Sequence, residues 1–338
     1  MAATRNVRIE VVESDALSVK ADVLALKYAQ ALFGVDREVY QRLAVAPEKA
    51  QLPENDAFTL QTSSGLVGAA RVLYLGVKPL SQFGYPEIRD FARKVLATLA
   101  AEGPATRRLA MTLHGAGYGL DEMESFKAEV AGVSDALSSG EYPEALDTIT
   151  FAERNPDRAA RMKYILHSLL PDGLLPLNVP LSGSSVGAAT QADLETAGYG
   201  AAAKPHVFVA MPFAEAMDDV FHYGIQGAAN AVGFLCERAD LSSFTGDVMD
   251  WVKRRISGAS LVVADLSSAN PNVYLEVGYA WGCRVPTILL VKDPPDLPFD
   301  VRGHRCLVYK SIHELEEKLR VELQGLAEAS AALGETRA

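Results

Sequence analysis

From residue 206 onward the chain repeats one order, a short β-type run followed by a helical one, and this alternation restricts its fold more than any other feature. Residues 206–211 (HVFVAM), 233–237, 260–265 (SLVVAD), 286–291 (PTILLV) and 306–309 read as strands. Residues 215–232, 246–257, 271–283 and 312–326 read as the helices between and after them. Strands separated by helices pair in parallel, because each helix carries the chain back across the sheet. The expected class is therefore α/β, with a doubly wound parallel sheet of flavodoxin-like type over residues 205–338. Ligands of such sheets bind beyond the carboxyl ends of the strands, where the strand order reverses. That rule gathers Met211, Pro212 and Phe213, the stretch from Asp265 to Asn272, and residues 292–298 around one crevice, with 294–298 able to cover it.

Upstream, residues 172–204 (DGLLPLNVPLSGSSVGAATQADLETAGYGAAAK) are rich in Gly, Ala, Ser and Pro and lack a sustained apolar period. Such a stretch is expected to be an interdomain linker. It divides the chain into 1–171, 172–204 and 205–338, and two domains suit 338 residues at roughly 150 per domain. Within 1–171, strand patterns at 7–13, 21–27, 71–77, 109–114 and 146–152 mix with helical patterns at 121–137 and 156–169. Ile88, Phe91, Val95 and Leu99 share one helical face after the start signal Pro86. A three-layer α/β domain is expected there.

Acidic residues outnumber basic ones 43 to 32. A broad acidic field repels phosphate backbones, so non-specific nucleic-acid binding is not expected. Cys236, Cys283 and Cys306 are too few and too scattered for a disulfide framework or a zinc site, which suggests a reducing compartment. The first residues carry no apolar export core, and no run approaches the length of a membrane span. A cytoplasmic protein without membrane contact is expected.

The chemistry concentrates in residues 256–282, ISGASLVVADLSSANPNVYLEVGYAWG. A strand ends at Asp265, a polar loop follows, and Asn270 before Pro271 marks a helix start. Glu276 then falls in the second turn, among Val273, Tyr274, Leu275, Val277 and Tyr279. An unpaired carboxylate in such apolar company is costly, while the helix N-terminus favours its ionised form. An ionised, positioned carboxylate at the mouth of a crevice can attack a sugar carbon or stabilise an oxocarbenium-like transition state. The alternatives are that Glu276 lies on the solvent face or pairs with a cation such as Arg284. Asp265 either binds ribose hydroxyls or caps the next helix, and Asn270 and Asn272 either cap or bind. Arg238 and Asp240 either pair with each other or meet a phosphate, and the run Lys253, Arg254, Arg255 reads as a solvated helix face.

These stretches resemble the nucleoside 2-deoxyribosyltransferase-like group and the related TIR-like nucleotide-processing domains. HVFVAMPF, GFLCERAD, LVVADLS and above all NPNVYLEVGYA carry the resemblance, over about a third of the chain. It implies cleavage of an N-glycosidic bond in a nucleoside, a nucleotide or NAD, by hydrolysis or base exchange, with Glu276 as the catalytic carboxylate. It further implies that Met211, Pro212 and Phe213 wall the base or ribose, with Tyr279 in the same motif. No cofactor and no metal are required, since an acid or water can protonate the leaving base. In related enzymes a neighbouring subunit completes the site, so a homo-oligomer is expected. The group's leaving-group Asp aligns here with Val252, and Asp250 and Asp247 stand near but out of register.

Residues 1–171 resemble a macro domain or the macro-like domain of leucyl aminopeptidases, on DALSVKADVLALKYAQALFGVDREV, TSSGLVGAARVLYLGV and RRLAMTLHGAGYGLDEMESFKAEVAGVSDAL. The resemblance implies that Gly115, Gly117 and Gly119 could bring backbone N–H groups to a diphosphate such as that of ADP-ribose. The Asn-rich loop of active macro domains is missing, since Lys27, Tyr28, Ala29 and Gln30 follow the ADVLAL strand. Three readings stand: an N-glycosidase, which the two-domain architecture would suit to a bacterial defence or NAD-depleting effector, a non-catalytic nucleotide-sensing module, or a structural assembly.

Overall fold

The computed structural model describes residues 5–44, 52–178, 187–238, 248–292, 304 and 306–335. The chain divides into two compact units, Met1–Ala116 with Glu122–Ala202, and Gly117–Asp121 with Ala203–Ala338.

Unit 1 is built on seven strands, β1 (Asn6–Glu13), β2 (Val23–Tyr28), β3 (Phe58–Thr62), β4 (Arg71–Gly76), β5 (Arg108–Met111), β6 (Thr148–Glu153) and β7 (Leu174–Pro176). They lie in the order β3-β4-β2-β5-β6-β1-β7, with the inner five parallel and both edge strands antiparallel to their neighbours. Its helices are α1 (Gly34–Leu43), α2 (Tyr85–Glu102), α3 (Glu122–Ser139), α4 (Pro156–Leu169) and α5 (Ala188–Thr196). Leu24, Leu26, Val72 and Tyr74 point to one face, where they meet Val39 and Leu43 of α1. The alternate residues Val23, Ala25, Leu73 and Leu75 are equally buried, so the sheet is covered on both faces. Helix α4 starts where the sequence predicts: Asn155 caps it by accepting from the Arg158 N–H at 2.9 Å, with Pro156 in the first turn.

The linker expectation for residues 172–204 is corrected. Its described parts contain β7, paired with β1, and α5, whose Leu194 is buried. An Ala-rich, largely polar helix has little apolar surface to hold it, and a single cation supplies the hold instead. Arg89 of α2, only 6% exposed, forks onto Asp135 of α3 at 2.7 and 2.8 Å. Its Nη1 donates to the carbonyls of Leu194, Glu195 and Ala197 at 2.9, 3.0 and 2.6 Å. Those are acceptors that the last turn of a helix leaves open. Tyr199 covers the guanidinium, 4.8 Å away. The contacts come from residues distant in sequence, which is why local composition does not reveal them. Arg89→Met should therefore cost about 2–3 kcal/mol. Hydrogen exchange should rise first over residues 189–197, and uniform loosening of the unit would contradict the clamp.

Two buried polar side-chain pairs follow the ends of β2 and β5. Lys27, at the end of β2, meets Asp36 of α1 at 2.7 Å. His114, following β5, meets Glu129 of α3 through Nδ1 and Oε1 at 2.6 Å. Burial drives the Glu129 carboxyl well above its ordinary range and the His114 imidazole well below its own, with Lys27 near enough to act on both.

Unit 2 contains β8 (His206–Ala210), β9 (Leu235–Glu237), β10 (Leu261–Asp265), β11 (Thr287–Lys292) and β12 (Cys306–Tyr309), all parallel, in the order β12-β11-β10-β8-β9. Counted within the unit this is 2-1-3-4-5, the flavodoxin-like order, and the reversal falls between β8 and β10. Helices α6 (Gly227–Ala231) and α9 (Ile312–Glu335) cover one face. Val207, Val209, Val263 and Leu290 meet Ala228, Leu315 and Leu319 there. Helices α7 (Val248–Gly258) and α8 (Pro271–Gly282) cover the other, where Phe208, Ala210, Val262 and Ala264 meet Val252, Val273 and Val277. The helix expected over 215–232 is not uniform: a tight turn at Glu215–Met217 and a widened segment at Val220–Gln226 precede α6. Gly224 in that segment lies so close to Leu315 that a Cβ would stand 2.7 Å from its Cδ2.

Candidate functional site

The loop beyond β10 is held by side chains on both sides of it. Asp265, 1% exposed, accepts from the Ser267 N–H at 2.9 Å and from the Tyr309 hydroxyl at 2.7 Å. Ser267 Oγ in turn accepts from the Lys292 N–H at 2.8 Å. Ala269 takes a left-handed φ of 50°, uncommon for a residue with a Cβ, directly before the cap. Asn270 then accepts from the Asn272 N–H at 2.9 Å and starts α8, with Asn272 exposed. Alternation along β10 sends Asp265 towards the α6 and α9 face, whereas Glu276 stands on the α8 side. The structure does not bring the two carboxylates together, and Asp265 serves the loop. Tyr309→Phe would leave that buried carboxylate one donor short, at a cost of about 1–3 kcal/mol. Urea unfolding measures it, and a change below about half a kcal/mol would contradict the assignment.

Glu276 is half-buried, and among the described residues no hydrogen bond or ion pair to it is found. It is neither open to bulk water nor bridged to Arg284, the two alternatives that sequence leaves standing. It shares a flank of α8 with Asn272 and Tyr279, at spacings of four and three residues. Tyr279 lies near enough to Asp250 of α7 for that charge to raise its phenol, though the Cys283 thiol beside it acts more strongly. The expected ionised state is corrected. Burial overcomes the helix N-terminus and pushes the Glu276 carboxyl up to about 7, so both protonation states are populated at neutral pH.

The remaining residues divide between the two faces. Asp250 is exposed, with Lys253 of the same helix at 3.9 Å, while Val252 is buried in the core. Asp247, Asp240 and the loop 294–298 lie outside the described residues. Met211 is buried and Pro212 partly so, and the Phe213 ring is 41% exposed. Arg238 pairs with Asp218 at 3.2 Å, between the rings of Phe213 and Phe221. The expected solvated face at Lys253, Arg254 and Arg255 holds for the first two, but Arg255 turns to the buried Glu237.

The glycine run of the macro-domain resemblance includes two left-handed positions. Gly115 and Gly119 both have φ of 94°, which favours glycine. Gly119 belongs to unit 2, where its carbonyl accepts from the Arg238 N–H at 3.1 Å, and a Cβ on it would stand 2.5 Å from the Arg238 carbonyl oxygen. Close backbone packing accounts for Gly119, and Gly117 has open space beside it. Among the described residues no cluster of three or more His, Cys, Asp or Glu is placed to hold a metal ion. No described helix is long and apolar enough to cross a membrane.

No family model and no curated protein matches the chain. Among solved structures, a Clostridium botulinum CMP N-glycosidase is similar at 19% identity over 35% of this chain and 98% of its own, with a TM-score of 0.30. A Trypanosoma brucei macrodomain in complex with ADP-ribose is similar at 17% identity over 47% of this chain and 69% of its own, with a TM-score of 0.37. An Oceanobacillus iheyensis macrodomain variant follows at 8% identity over 48% and 92%, with a TM-score of 0.36. The α/β assignment rests on the strand orders described above.

Proposed function

We propose that unit 2 cleaves the N-glycosidic bond of a nucleoside, a nucleotide or NAD, with Glu276 as the carboxylate that engages the anomeric carbon. The supporting observation is a half-buried glutamate without a described partner, on the helix that starts at the strand-order reversal. In its ionised form Glu276 bonds to the anomeric carbon as the C–N bond breaks, and the bonding pair leaves with the base. Asp250, Asp247 or water supplies the proton the base takes up. Water, or a second base in the exchange reaction, then displaces the carboxylate. Met211, Pro212 and Phe213 wall the base, Asn270, Asn272 and Tyr279 face the sugar, and Asp265 acts through the loop it holds. The enzyme works in the reducing cytoplasm as a homo-oligomer, with unit 1 as its scaffold.

A sensing module is the second reading, favoured by one observation: Val252, at the position of the leaving-group acid, is buried and apolar. Incubation with NAD, deoxynucleosides and deoxynucleotides, followed by chromatography for free base, separates the two. Base release that disappears in Glu276→Gln supports the enzyme. Binding without release, equal in both proteins, supports the sensor.

A further inference from the structure

We propose that Arg238 is the positioning residue of the base-facing wall, holding the Phe213 ring so that one face is backed and the other is free to stack on a planar aromatic base. The base as ligand rests on the glycosidase reading, whereas the clamp rests on the geometry of unit 2.

Arg238 directly follows β9, and its side chain reaches back to the end of β8. The guanidinium carbon lies 4.6 Å from the centre of the Phe213 ring and 4.2 Å from that of Phe221. Asp218 takes its Nη2 at 3.2 Å, and the Met211 sulfur lies 3.8 Å from its Nη1. A guanidinium is flat and weakly hydrated, so it can lie between two aromatic rings where an ammonium would stay in water. Four side chains from the turn beyond β8 and the segment after it thus converge on one cation. Phe213 is nevertheless 41% exposed. A ring held from behind surrenders little rotamer freedom when a base stacks on its open face, and this lowers the entropy cost of binding. Without the cation, the same ring would have to be ordered by the ligand itself.

The test uses the full chain with 4-fluorophenylalanine in place of Phe213, titrated with adenine, cytosine and nicotinamide, and read by the fluorine resonance. In the wild-type background at least one base moves the resonance. R238M should shift the unliganded resonance towards its solvent value and weaken that base by about tenfold, with R238K nearly as impaired because it keeps the charge and loses the plane. In turnover, KM should rise by a similar factor while kcat changes less than threefold. Should R238M fail to fold, Phe221→Leu withdraws one of the two rings and should give the same shift at smaller size. An unmoved resonance or an unchanged base affinity in a folded variant overturns the proposal, as does a wild-type resonance that no base moves. Base release is followed in the same samples with Glu276→Gln. Bases that bind without ever being released from a nucleoside, nucleotide or NAD remove the glycosidase reading and leave the clamp standing.

Discussion

Replacing Glu276 by Gln is expected to abolish base release and, at pH 8, to yield a protein more stable than the wild type. Burial raises the carboxyl from 4.5 to about 7 in the folded chain. The unfolded chain loses its proton near 4.5, while the folded one keeps it to about 7, so stability falls as pH rises through that window. Above pH 7 the accumulated loss reaches about 3 kcal/mol, and an amide suffers none of it. The gain of the variant should therefore be near zero at pH 4 and about 2–3 kcal/mol at pH 8, measured by urea unfolding. Equal differences at both pH values would mean that the carboxylate is well solvated, which removes the basis of the proposed site. Catalysis runs the other way. The attacking form is ionised, so kcat/KM should rise with pH and level off above about 7, and the variant should lose about a thousandfold or more.

The second large effect belongs to unit 1. His114 and Glu129 are each at most 2% exposed, and burial favours a neutral imidazole beside a protonated carboxyl, one proton for the folded pair. In the unfolded chain, with ordinary values of 6.5 and 4.5, the two groups hold two protons below pH 4.5, one between 4.5 and 6.5, and none above. Stability rises with pH where the unfolded state binds more protons and falls where it binds fewer. The contribution of the pair is thus flat between 4.5 and 6.5 and falls on either side by about 1.4 kcal/mol per pH unit. Subtracting the stability of a double variant, His114→Phe with Glu129→Leu, isolates it, and a difference that stays flat to pH 8 would show the pair to be solvated. Glu129→Ala alone leaves the buried imidazole without its partner and should cost about 1–3 kcal/mol.

Much of unit 2 was legible because each of its signals is local. Asn270 before Pro271 marks the start of α8, and the apolar runs coincide with β8, β10 and β11 to within a residue or so. The position of Glu276 followed from the same signals, but its protonation did not, since helix position favours the anion and only the packed structure shows burial prevailing. Contacts across the fold were out of reach. Nothing near Asp265 announces Tyr309, 44 residues on, and nothing near Arg238 points back to Asp218 and Phe213. In unit 1, α5 looked like a tether because its anchor, Arg89, sits more than a hundred residues earlier. The α1 helix and the short β3 and β7 had too few periodic residues to register.

One edge strand of each sheet, β7 and β9, is poorly suited to pairing with another polypeptide. In unit 1, β7 is three residues long and ends on Pro176, which has no N–H to offer a newcomer. In unit 2, β9 is equally short, and its Cys236 and Arg238 N–H groups are already occupied by Asp121 and Gly119. An intruding segment from another polypeptide would find few vacant rungs along β7 or β9, so strand addition is discouraged at these two edges, which lie opposite β3 and β12.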